Sequence, residues 1–124
     1  MKPPASDSAH EGIKSTNKEV YDLDRAHVFH SWSAQGAITP LPVAGGLGSY
    51  FWDFDGNRFL DFSSQLVFTN IGHQHPKVIA GIKKQADLLA TIAPQHANET
   101  RSIAAQKIVA HAESHLNKVF FTNG

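Results

Sequence analysis

Two aromatic runs, Ser49-Tyr50-Phe51-Trp52-Asp53-Phe54 and Arg58-Phe59-Leu60-Asp61-Phe62, flank the turn residues Asp55-Gly56-Asn57. Aromatic side chains favour extended backbone, and Gly56 supplies the positive φ that a tight turn demands, so the stretch predicts a β-hairpin. Helical patterns lie on both sides of it. Val20, Leu23, Ala26 or His27 and His30 recur at three or four residues and predict a short helix from Asn17 to near Phe29. Beyond the hairpin, Gly72-His73-Gln74-His75-Pro76 punctuates an apolar run, Ser63 to Ile71, whose direction the pattern leaves open.

Pro76 suits the first turn of a helix, and Val78, Ile79, Ile82, Ala86, Leu89 and Ile92 then line one face to about Ile92, where Pro94 limits extension. Asn98 reads as an N-cap, with Glu99 in the first turn of a second helix that runs to near Glu113. Lys118 to Thr122 reads as a strand. The order is helix, long loop, hairpin, two helices, strand, which points to an α/β or α+β architecture.

Length allows one domain with a modest core. Eleven basic and eleven acidic residues balance to zero, which removes the electrostatic footprint of a nucleic-acid or membrane-surface binder. No cysteine is present, so disulfides and thiolate metal sites are excluded, and the cytoplasm is the expected compartment. No stretch is apolar for the roughly 18 residues a membrane helix needs. Residues 1–17 are polar and are expected to form a flexible tail. Residues 31–47 hold two prolines and three glycines and read as an extended loop, yet Trp32, Ile38, Leu41 and Val43 make it too apolar to lie loose in water.

Most chemical readings of these residues have a plainer counterpart. His27 with His30, His73 with His75, and His111 with His115 have ligand-like spacing, but a metal needs a third or fourth ligand in fixed geometry, so no metal site is expected. Gly45-Gly46-Leu47-Gly48 has the composition of a phosphate loop, but a strand follows where a helix N-terminus should be, which leaves a turn before the hairpin. Asp53, Asp55 and Asp61 suggest paired carboxylates for acid and base work, but Asp53 and Asp55 fall in the hairpin turn, where capping the backbone or facing solvent is sufficient reason for a carboxylate. Trp32 reads equally as a core residue or a pocket wall.

The order of Gly48 to Phe62, Gly72 to Pro76, His30-Ser31-Trp32-Ser33-Ala34-Gln35 and the terminal Val119-Phe120-Phe121-Thr122-Asn123-Gly124 resembles the class III aminotransferases, pyridoxal-phosphate enzymes of fold type I. His30 to Gln35 is similar to the omega-transaminase branch that includes taurine–pyruvate enzymes. The resemblance covers residues 20–124. It implies a homodimeric enzyme that moves an amino group from an amine to a keto acid such as pyruvate, through a lysine Schiff base and a quinonoid intermediate, with the cofactor as electron sink.

By matching positions, Trp32, Leu66 and Val67 would line the substrate pocket, and Asn123 with Gly124 would begin the phosphate loop. Val67 stands where some relatives carry a large aromatic. The family's Schiff-base lysine, pyridine-pairing aspartate and carboxylate-binding arginine have no counterpart up to Gly124, so the expectation is an N-terminal fragment, inactive alone. Residues 18–117 would belong to the small domain and 118–124 would open the large one. A docking module for a full-length transaminase and an unrelated hairpin-helix domain are the other readings.

Overall fold

The computed structural model describes residues 15–122. The chain forms two compact units, divided between Ile79 and Ala80. The first opens with α1 (Asn17–His27), started by a capping box in which Thr16 Oγ1 accepts from the Glu19 amide and the Glu19 carboxylate accepts from the Thr16 amide. Val28 then adopts an extended backbone and the helix stops.

A three-stranded antiparallel sheet follows, β1 (Gly45–Leu47), β2 (Tyr50–Trp52) and β3 (Arg58–Leu60), in that order. The predicted hairpin is β2 and β3, with Tyr50 opposite Leu60 and Trp52 opposite Arg58. Gly56 has φ 84°, as the turn requires. The loop is Asp53 to Asn57, longer than a two-residue turn, so Phe54 sits in it and not in a strand. Phe51 and Phe59 stack across the pair at 5.3 Å, and the Arg58 guanidinium lies 3.7 Å over the Tyr50 ring.

Gly45 to Leu47 corrects the sequence reading. These residues are not merely a turn; they pair with β2, Gly45 opposite Trp52 and Leu47 opposite Tyr50. Gly45 and Gly46 carry no Cβ to advertise a strand, and the aromatic rings that occupy the vacated space explain the composition. A Cβ on Gly45 would lie 2.9 Å from the Trp52 ring and one on Gly46 2.9 Å from the His73 ring.

The undirected run after β3 becomes α2 (Ser64–Val67), a single turn of left-handed hand. Ser64, Gln65, Leu66 and Val67 have φ of 49°, 50°, 61° and 77°. Each non-glycine residue there is disfavoured by roughly 1–2 kcal/mol, and no sequence pattern announces such a turn.

Pro76 begins α3 (Pro76–Leu88) as expected, and α4 (Glu99–Val109) in the second unit starts where Asn98 Oδ1 accepts from the Arg101 amide at 3.1 Å. Both helices stop about four residues before the expected ends near Ile92 and Glu113, because helical spacing persists in sequence after the backbone has left the helix. Between them, the Arg101 guanidinium donates to the carbonyls of Pro94 and His96, which holds the linking loop.

Two further expectations fail. Residues 118–122 form no strand, because a strand exists only through a partner and none pairs with them here. The expected modest core is also absent among the described residues, where Asp53 alone is buried. Phe62, Phe68, Ile82, Leu88 and Phe120 stay exposed. Among the described residues no helix is long and apolar enough to cross a membrane.

Candidate functional site

The buried Asp53 shows why a carboxylate is needed in the hairpin loop. It is 4% exposed and accepts from the Asp55 amide (3.0 Å), the Asn57 amide (2.8 Å), Asn57 Nδ2 (2.8 Å) and Asn17 Nδ2 (3.1 Å). Asn17 also accepts from the Phe54 amide at 2.9 Å, so the start of α1 is clamped onto the hairpin loop. Asp53 is a structural acid, as its turn position implied. The Asn57 side chain, against the opposing effect of burial, holds its carboxyl below the ordinary value of 3.8.

A second polar knot lies at the other end of the hairpin. Asp61 Oδ2 accepts from His73 Nε2 at 2.7 Å, and Asp61 Oδ1 accepts from the Gln65 amide at 3.1 Å, with Gln65 Nε2 adding a bond of 3.3 Å. Burial tends to raise the Asp61 carboxyl, but the Gln65 amide, His73 and the Gln65 side chain together hold it below 3.8. An ionised Asp61 places the ring proton on His73 Nε2. The His73 ring packs edge-on to Phe51 at 6.5 Å, and its backbone exchanges hydrogen bonds of 2.8 and 3.0 Å with Gly48. Gly46 passes close to its Cβ and Cγ.

This knot borders a cleft of about 420 Å³ lined by residues that include Gly46, Phe51, Gln65, Phe68, Thr69 and His73. Leu66 and Val67 ride on α2 beside Gln65, 76% and 75% exposed. Spacing singled out Asp61 as one carboxylate among several and His73 as half of a histidine pair, and missed that they bond each other across twelve residues. The signal available was Gly72 immediately before His73, since small residues permit close backbone approach.

Trp32 stands on a separate braced loop. Gln35 Oε1 accepts from the His30 amide at 3.0 Å, Gln35 Nε2 donates to the carbonyls of His30 and Ser33, and the Arg25 guanidinium donates to the Gln35 carbonyl. His30 Nε2 is held 2.7 Å from Asp24 Oδ1. Trp32, at φ 58° and 98% exposed, is no core residue. It does not line the cleft beside His73. Asn123 and Gly124 lie outside the described residues.

Among the described residues no group of three or more His, Asp or Glu is placed to hold a metal. The described lysines, Lys18, Lys77, Lys83, Lys84, Lys107 and Lys118, are all exposed, and Lys18 is paired with Asp22. None offers the desolvated amine that a Schiff base requires.

Residues 32–124 match the family described as aminotransferase class-III. The chain belongs to the class III aminotransferases. Acetylornithine aminotransferase from Methanopyrus kandleri is 33% identical over 84 residues, 68% of this chain and 22% of that protein. Among solved structures, the taurine:2-oxoglutarate aminotransferase of Bifidobacterium kashiwanohense, in complex with PLP and glutamate, matches with TM-score 0.82 and 41% identity, covering 89% of this chain and 25% of that one. The adenosylmethionine-8-amino-7-oxononanoate aminotransferase of Methanocaldococcus jannaschii matches with TM-score 0.79 and 27% identity, over 85% of this chain and 25% of that one. The class III segment thus spans about a quarter of the length of these relatives. Its fold is an α/β portion of fold type I, and the family's cofactor is pyridoxal phosphate. Among the described residues no lysine is shielded from solvent as the family's Schiff-base chemistry requires.

Both knots make an acid-dependence prediction. Asp53 and Asp61 have lowered folded-state values, so their stabilisation is present above 3.8 and is lost as pH falls through the lower folded values. Carboxyl titration by NMR should put both midpoints below 3.8, and a midpoint at or above it refutes the network.

Proposed function

We propose that this chain is the N-terminal part of a pyridoxal-phosphate aminotransferase that moves an amino group from an amine or amino acid to a keto acid such as pyruvate. The likeness to the taurine:2-oxoglutarate enzyme, over nearly the whole chain, carries this reading. It makes an omega-transaminase with a taurine-like donor the first assignment to assay, and adds 2-oxoglutarate to pyruvate as acceptor.

In this reading residues 18–117 belong to the small domain and 118–124 enter the large one. Trp32, Leu66 and Val67 line the substrate pocket, and Asn123 with Gly124 contact the cofactor phosphate. The exposure of Trp32, Leu66 and Val67 is consistent with side chains whose contacts come from the rest of the polypeptide and from substrate. The working unit is a cytoplasmic homodimer. The 124-residue chain alone is inactive, because the lysine chemistry is supplied elsewhere.

The test is amino transfer by the native polypeptide reconstituted with pyridoxal phosphate, given taurine and simple amines against pyruvate and 2-oxoglutarate. Formation of alanine or glutamate is the expected result, with none from the isolated chain. A long native polypeptide that transfers from no donor to either acceptor overturns the reading. Pyruvate-dependent amine consumption by the isolated chain overturns its assignment as inactive.

A further inference from the structure

Four consecutive residues of α2 occupy the left-handed region, and one of them, Val67, is β-branched, for which that region is least tolerable. Such a turn persists only where its surroundings over-determine it. The bonds that do so are visible. The Gln65 amide and side chain both donate to Asp61, the Val67 amide donates to the Ser63 carbonyl at 2.9 Å, and the Thr69 amide donates to the Ser64 carbonyl at 3.0 Å. Asp61 is anchored in turn by His73, and His73 by its backbone bridge to Gly48 and by the close pass of Gly46. The chain of support therefore runs from the sheet, through the His73–Asp61 hydrogen bond, into the strained turn.

Among the described residues the strained turn buries nothing apolar. Leu66 and Val67 remain about three-quarters exposed, so the turn pushes two apolar side chains outward. We propose that Asp61 and His73 are positioning residues that lock α2, and that the locked turn sets the size of amine donor accepted at Leu66 and Val67. The substrate part of this proposal rests on the function proposed above; the lock itself does not.

The lock acts by geometry. Asp61 Oδ1 accepts from the Gln65 amide while Oδ2 is shared by His73 Nε2 and Gln65 Nε2, and neither partner needs to exchange a proton with substrate. Losing the carboxylate frees Gln65, lets α2 relax toward right-handed or extended backbone, and blurs the pocket wall.

The experiment uses the native polypeptide reconstituted with its cofactor and two readouts. Amide hydrogen exchange at Gln65 should accelerate by roughly tenfold or more in Asp61→Ala, since a hydrogen bond to a charged acceptor is lost, and Asp61→Asn, which keeps an acceptor oxygen, should recover most of the protection. His73→Gln, which keeps a donor of similar reach, should fall between. In the same proteins, the ratio of kcat/KM for taurine to that for a bulky arylalkylamine should shift by about tenfold in Asp61→Ala, the change residing in KM more than kcat.

Unchanged exchange at Gln65 overturns the lock. Faster exchange with an equal fall for both donors overturns the assignment to donor size. Wild-type protein that transfers no amino group, yet shows the expected exchange pattern, overturns the enzymatic reading and the donor assignment while supporting the lock. If Asp61→Ala does not fold, Asp61→Asn and His73→Gln decide between the same outcomes.

Discussion

Gly72→Ala is expected to open the junction between the sheet and the segment entering α3. Gly72 has φ 81°, and an added Cβ would lie 3.1 Å from both Cα and the carbonyl oxygen of Gly48 and 3.2 Å from its carbonyl carbon. These are backbone atoms, which cannot swing aside as the end of a flexible side chain can. The left-handed conformation alone disfavours alanine by roughly 1–2 kcal/mol. Relieving the clash separates Gly48 from His73, whose paired backbone bonds of 3.0 and 2.8 Å each contribute about 1 kcal/mol net. Together these give about 3 kcal/mol, or on the order of 100-fold faster amide exchange at Gly48 and His73 in the native polypeptide. Gly81→Ala is the control. Gly81 lies in α3 with nothing within 4 Å of its added Cβ, so alanine should be tolerated and should favour the helix by up to about 1 kcal/mol. Equal effects at Gly72 and Gly81 refute the close approach.

The isolated 124-residue chain is expected to unfold without a cooperative transition. Cooperative folding of a small domain draws on apolar area removed from water, at about 25 cal/mol per Å², to offset a backbone entropy of about 1–2 kcal/mol per residue. Among the described residues no apolar side chain is buried, and Phe62 is 94% and Phe120 90% exposed. The polar knots at Asp53 and Asp61 organise turns but remove little apolar surface. Heating should therefore give a broad, shallow change in circular dichroism, and a dye that binds exposed apolar surface should fluoresce with the isolated chain before any denaturant is added. A sharp melting transition near the 45–65 °C usual for mesophilic domains, with no dye binding, contradicts the expectation.

The elements legible in the sequence are those decided within a few residues of themselves. Gly56 required a positive φ whatever the rest of the chain did, and the aromatic runs on either side had a strand preference of their own. Asn98 and Pro76 mark helix starts because a cap or a proline acts on the adjacent turn. Family membership was legible for a different reason, the order of several short motifs, no one of which sufficed. The site was legible only as separate residues. The resemblance made Trp32, Leu66 and Val67 candidates for a pocket, and neither the Gln35 brace beneath Trp32 nor the left-handed turn beneath Leu66 and Val67 left a pattern in composition.

The sequence by itself determined where α1, α3 and α4 begin, where the hairpin turns, and that no thiol or net charge would shape the chemistry of this chain. Tertiary structure alone decided that Gly45 to Leu47 is a strand, since its partner is β2 and glycine has no preference to declare. It alone decided that Asp61 and His73 meet, and that four residues are held in a left-handed turn by that meeting. It also decided that residues 118–122 are not a strand and that the apolar faces stay open, because pairing and burial belong to contacts between segments and exist only where a partner surface is present.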